Sequence, residues 1–307
     1  MGPLQGIRIV EIASLGPGPF CGMMLADMGA EVIRVERAGT AYANANATDP
    51  LLRNRKSIAC DLTKPQAVEA VLRLVESADG IFEGFRPGVA ERLGLGPATC
   101  LGRNARLVYG RVTGWGQDGP LANAAGHDLN YIALSGALHM IGRPGEKPVP
   151  PLNLVGDFGG GGMLLAFGML CALLNASRTG IGQVVDAAML DGANALMAMF
   201  HGFSALGLRD DDPGSSFLGG AAHFYDTYET RDGKYISIAP IEAKFYDQLI
   251  ERLGLERERF APAVFRLMNV AGQRDEWPEL KKELAAVFLQ KTRDEWCDIL
   301  EGSDVCF

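Results

Sequence analysis

The sequence predicts an α/β fold: a mostly parallel sheet with flanking helices, followed by a smaller α+β domain. Three observations carry that expectation. Short strand-like segments alternate with helix-spaced segments through the first half of the chain. Those strands are apolar along much of their length, as in sheets covered on both faces. Later, a hairpin signal precedes a run of helical segments. The arrangement is Rossmann-like, with a large domain expected over 1–209 and a small one over 210–307.

Ile7 to Ile12 reads as the first strand, and Gly16-Pro17-Gly18-Pro19 as the turn after it. A helical pattern from Phe20 to Met28 closes at Gly29. Glu31 to Glu36 and Ser57 to Asp61 read as the next strands. Val68, Val71, Leu72 and Val75 repeat at helical spacing within Lys64 to Glu76. Gly80 to Glu83 and Leu107 to Gly110 add two strands. The Gly/Asn/Pro-rich stretch from Thr113 to Pro151 is interrupted by a short helical piece near Asn130 to Gly136. One helix is expected from just after Asp157 to about Ala176, another over Ala187 to Leu206. Asp210 to Ser216 reads as a linker. Arg231-Asp232-Gly233 joins a hairpin, and Glu242 to Leu300 is mostly helical.

Composition narrows the function. The net charge is −8 and no dense Lys/Arg run occurs, which argues against nucleic acid and anionic membranes as partners. The apolar stretch from Met163 to Ala176 is shorter than a bilayer span, and the N-terminus has no signal-peptide pattern. Six scattered cysteines and four dispersed histidines show no metal-ligand spacing. A cytoplasmic location is expected, with no metal and no organic cofactor.

Asp157 is the first candidate for chemistry. It ends an apolar segment and is followed by Gly159 to Gly162 and then the apolar run of a helix. A carboxylate there either caps the helix or serves as an acid/base group at an anion-binding helix start. Glycines such as Gly159 and Gly160 would let a ligand approach the backbone. No GxGxxG follows the first strand and no P-loop occurs, yet a nucleotide could still bind at the carboxyl ends of such strands. Arg37, just after the second strand, is either a solvated arginine or a phosphate contact. His127 lies in the long loop and Glu242 at a helix start; each has a structural reading as well as a catalytic one.

The motifs Gly16-Pro17-Gly18-Pro19, Leu25 to Glu36, Gly84-Phe85-Arg86-Pro87-Gly88, Thr113-Gly114-Trp115-Gly116-Gln117, Ala125-Gly126-His127-Asp128 and Val155-Gly156-Asp157 resemble the family III CoA transferases. Within that family the resemblance is to its racemase branch, and it runs from about Leu4 to Val305. Members continue past the position of Phe307 with a segment that returns to the large domain.

The resemblance implies a racemase or epimerase that inverts the α-carbon of 2-methylacyl-CoA thioesters, as in fatty acid metabolism. Two bases would move the proton through an enolate. It implies His127, Asp157 and Glu242 as catalytic residues, with Glu242 orienting His127. Arg37 and Arg92 are expected near the CoA nucleotide, in a large domain that binds CoA as part of the substrate. The enolate oxygen would meet backbone N–H groups at the glycine-rich helix start. Met189, Met197 and Met199 either adapt to a bulky acyl chain or pack in the core. An interlocked homodimer is implied as well. Two other readings stand beside this one: a CoA transferase with Asp157 as nucleophile, and an inactive acyl-CoA-binding protein.

Overall fold

The computed structural model describes residues 2–37, 48–207, 212–260 and 274–307. The chain divides into two compact units, one of residues 1–137 and 151–197, the other of 138–150 and 198–307. The boundary therefore falls at Met197 rather than after residue 209, and the second unit also takes a piece of the long loop. Asp210 and Asp211 of the expected linker lie outside the described residues.

The first unit is built on six strands: β1 (Arg8–Ile12), β2 (Glu31–Glu36), β3 (Arg55–Ala59), β4 (Gly80–Glu83), β5 (Val108–Thr113) and β6 (Gln183–Ala188). They lie in the order β3-β2-β1-β4-β5-β6, and every pairing is parallel. Helices α1 (Pro17–Asp27), α2 (Pro65–Glu76), α3 (Val89–Arg92), α4 (Pro97–Arg103) and α5 (Asp128–Leu134) belong to the same unit, and α6 (Ala137–Met140) has its last three residues in the second unit. On β1, Ile9 packs into one core with Leu25, Phe82, Leu165 and Met169. Val10 and Ile12 pack into another with Val71, Leu72, Val75 and Tyr109. Both faces of the sheet are covered, which explains the apolar strands. The strand order reverses between β1 and β4, where sheets of this kind open a crevice at their carboxyl ends.

Two segments differ from expectation. Residues 183–188, expected to run into a helix at Ala187, form the edge strand β6. The helix begins only at α8 (Met189–Leu196), followed by α9 (Ala198–Ala205). The helical run around Asp157 starts earlier than expected. A π-helical stretch occupies Leu154–Met163, and α7 continues it over Leu164–Thr179 to Gly180. The whole run, Leu154–Thr179, has 26 residues and a mean hydropathy of 1.6 in its most apolar window. By length and composition alone that is enough to cross a membrane, so counting from Met163 understated it. Leu165, Met169, Ala172 and Ala176 are buried in the core beside the sheet, the role of a core helix.

In the second unit β7 (Asp226–Glu229) pairs antiparallel with β8 (Tyr235–Ile238), as the hairpin signal predicts. Helices α10 (Ala243–Leu253), α11 (Arg257–Phe260), α12 (Trp277–Phe288) and α13 (Arg293–Leu300) complete it. Its core joins Phe224, Tyr246, Trp277, Phe288 and Trp296.

Candidate active site

Asp157 enters the first unit's crevice from the first turn of the π-helix, whose N-cap is Asn153. Asp157 is therefore not the cap. A π-helix bonds each N–H to the carbonyl five residues back, so its start leaves one more amide unpaired than an α-helix does. The N–H of Phe158 closes the first such ring on the carbonyl of Asn153, 3.2 Å away. The N–H of Asp157 donates instead to Oδ2 of Asp128, at 2.6 Å. Asn153 Nδ2 donates to Oδ2 of Asp157 at 3.2 Å.

A cavity of about 320 Å³ is lined by Asp157, His127, Tyr131, Trp115, Arg86 and Met189, among others. His127 is the N-cap residue of α5, and its own N–H donates to Oδ1 of Asn130 at 3.0 Å. Tyr131 closes the same turn by donating its hydroxyl to the carbonyl of Gly126, and it meets Trp115 edge to face at 4.7 Å. The fold thus brings together His127 and Asp157, which nothing in their spacing joins. Burial pushes the carboxyl of Asp157 above the ordinary aspartate range. Asn153 opposes that shift, the charge of Asp128 adds to it, and His127 opposes it. A carboxyl so held is a better base than a solvated one, and a histidine shares its cavity.

A second cavity of about 610 Å³ lies over the carboxyl ends of β1, β2 and β3, and Leu15, Gly16 and Phe85 line both. It holds Arg37, Arg34, Asp61 and Thr63 at its polar rim and Leu51, Leu52 and Leu62 among its apolar walls. Arg37 is exposed there, where sequence placed a phosphate contact. Arg92 is exposed on α3 and does not line the cavity, although the next residue, Leu93, does. Glu242 caps α10 in the second unit.

The glycines serve another purpose than the expected one. A Cβ on Gly160 would stand 2.8 Å from the backbone of Ala193 and Met189, so that glycine lets the π-helix press against α8. Gly161 and Gly162 are closed off by Met189, Pro17 and Phe20 in the same way. Gly159 faces Leu196, and neither Gly159 nor Gly160 lines the two cavities. At the start of the π-helix the N–H of Asp157 is taken by Asp128 and that of Phe158 by Asn153, so neither is free for an oxyanion. Of the three methionines, Met189 and Met197 are buried and Met199 is exposed. Sequence reasoning passed over Asp128 and Arg86, both inside quoted motifs. The signal for Asp128 was a carboxylate directly after the candidate histidine. Among the described residues, no group of three His, Cys, Asp or Glu side chains could hold a metal ion.

Comparison with known proteins places the chain. Residues 4–307 match CoA-transferase family III. An alpha-methylacyl-CoA racemase of Mus musculus is 46% identical over 303 residues, 99% of this chain and 76% of the relative. The Homo sapiens protein of the same name is 45% identical over the same shares. The crystal structure of Rv3272 from Mycobacterium tuberculosis superposes with a TM-score of 0.78 at 33% identity, covering 98% of this chain and 80% of that one. The chain belongs to CoA-transferase family III.

Proposed function

We propose that this family III chain is a racemase that inverts the α-carbon of 2-methylacyl-CoA thioesters by passing a proton between His127 and Asp157. The observation that carries the reading is that both side chains line one cavity in the crevice between β1 and β4. Removing a proton from one face of the α-carbon and returning one to the other needs two acid/base groups and an acceptor for enolate charge. The raised Asp157 carboxyl suits the first task, and the positive end of the π-helix, where Asp157 sits, favours the second. The relatives named racemase support this choice.

In this proposal the larger cavity receives the CoA nucleotide, with Arg37 at its rim and Arg92 beside it on α3. By the family resemblance, Glu242 is assigned the role of orienting the histidine. A homodimer is supported by the bare side of α7, where Phe167 is 66% and Leu174 53% exposed. The transferase reading is favoured by one observation: a relative in Mycobacterium tuberculosis, 35% identical, is named a probable fatty acyl-CoA transferase.

Incubation with a 2-methylacyl-CoA in deuterated water separates the readings. The racemase gives deuterium at the α-carbon and a mixture of epimers without an acceptor acid. Strict dependence on an acceptor, with unlabelled product, makes the chain a transferase with Asp157 as nucleophile. Binding without turnover leaves an acyl-CoA-binding protein.

A further inference from the structure

Asp128 is an unusual residue to find buried. Its side chain is almost wholly enclosed at the first position of α5, with 6% of the residue exposed. Oδ2 accepts the N–H of Asp157 at 2.6 Å, while Oδ1 is buried with no hydrogen-bond partner. Gly156 makes room for it, since a Cβ there would stand 2.7 Å from Oδ2. Among the described residues, no cation forms an ion pair with Asp128. A buried carboxylate with one oxygen unpaired costs stability that a neutral group of the same shape would not. The positive end of α5 offsets part of that cost, but an asparagine would satisfy the same amide without the charge.

We propose that Asp128 is a positioning residue for Asp157, fixing the backbone of the first π-helical turn and setting a second negative charge beside the reacting carboxyl. The inference rests on the reading of Asp157 as the acid/base group above. The hydrogen bond locks the amide that immediately precedes the Asp157 side chain, so the carboxyl enters the cavity at one angle. The charge has a separate effect. It opposes ionisation of Asp157 and so makes the ionised form a stronger base for an α-proton. The other groups facing Asp157 are His127 and Tyr131 from α5 and the turn before it, and Asn153 from its own helix. Arg86, from the loop after β4, lines the same cavity. Of these, Asp128 is bound to the Asp157 backbone and is also adjacent in sequence to His127, so one residue ties both reacting groups to one turn.

The test uses Asp128→Asn and Asp128→Ala in the full chain. Carbon-13 spectra of carboxyl-labelled aspartate, with Asp157→Asn for assignment, report the Asp157 titration without any substrate. Asp128→Asn keeps an acceptor for the amide, so the fold and affinity for acyl-CoA should persist. The Asp157 titration should move to lower pH, and the acid limb of α-proton exchange should move with it. Exchange from the epimer served by Asp157 should fall roughly tenfold at neutral pH. Asp128→Ala, which also frees the amide, should lose about tenfold to a hundredfold in kcat with KM nearly kept. An Asp157 titration that stays in place in Asp128→Asn overturns the proposal, whether or not Asp128→Ala folds. Absence of exchange in the unmodified enzyme would instead sink the racemase reading, while the spectra would still decide the role of Asp128.

Discussion

Gly16 and Asp157 stand so close that a methyl group added to Gly16 would lie 2.9 Å from Oδ2 of the aspartate. Gly16 also has φ of +65° with ψ of −110°, a sparsely populated conformation that side-chain-bearing residues adopt at a cost of about 1–3 kcal/mol. The turn after β1 and the start of the π-helix are thus fitted to each other across the site.

Gly16→Ala should therefore lose stability by about 1–3 kcal/mol and lose most α-proton exchange as well. Gly29→Ala is the matched control. Gly29 has φ of +98° and a tight backbone contact with Gly2, outside both cavities. Thermal melting should show comparable losses for the two variants, with exchange impaired in Gly16→Ala alone. Equal losses of exchange would mean that strain, not contact with Asp157, is responsible.

The glycines after Asp157 give a prediction of the opposite kind. A Cβ at Gly160 would meet backbone atoms of α8 at 2.8 Å, and backbone cannot swing aside as a flexible side chain can. Gly160→Ala should cost about 1–3 kcal/mol by overpacking, seen in chemical denaturation. If Gly160 were instead a ligand contact, the variant would keep its stability and raise KM.

Much of this fold was legible in the sequence. β1, β2, β4 and β5 announced themselves because each carries a cluster of apolar residues, as strands covered on both faces do. β6 did not. It is an edge strand with exposed Gln183, Val184 and Asp186, and its last residues, Ala187 and Ala188, run straight into the apolar helix α8. The π-helix was invisible too, because an altered hydrogen-bond register leaves no residue signature. Within the site, Asp157 could be singled out from its neighbours, but its partnership with His127 came only from the family resemblance, not from spacing. That pairing depends on α5 docking beside the π-helix through Asp128, a contact between segments remote in the chain.

The pH dependence should follow the groups around Asp157. Its carboxyl is raised mainly by burial, so exchange that uses Asp157 as base should fail on acidification above the ordinary aspartate value of 3.8. Asn153 stabilises the charged form through Nδ2. Asn153→Ala should move the acid limb of the pH–rate profile upward. The sign for stability follows from the same shift. The native state holds its proton to higher pH than the unfolded chain, so the Asp157 contribution to stability fades as pH rises through the native value. Asp157→Asn should then raise the melting temperature at pH 7 and have little effect below pH 3.8. A lower melting temperature at neutral pH would contradict the raised carboxyl.

The last prediction concerns the division of labour among His127, Asp157 and Glu242. If the two groups in the cavity serve opposite faces of the α-carbon, each is the base for one epimer and the acid for the other. His127→Ala should then abolish exchange from one epimer far more than from the other, by about 10²–10⁴-fold. Asp157→Asn, which keeps shape but removes the base, should show the reverse bias. Inversion should fall in both variants, because each direction needs both groups. Glu242 stands at the N-cap of α10, with no assigned contact to the acyl-CoA. As a carboxylate that orients the histidine, it should act only through His127. Glu242→Gln should consequently show the bias of His127→Ala in milder form, with acyl-CoA affinity nearly unchanged, and add little to His127→Ala in the double variant. Exchange assays on the two separated epimers read all of these outcomes. A Glu242→Gln loss that follows the Asp157 pattern, or one confined to binding, would give Glu242 another task. Equal losses for both epimers in every variant would reject the two-base assignment itself.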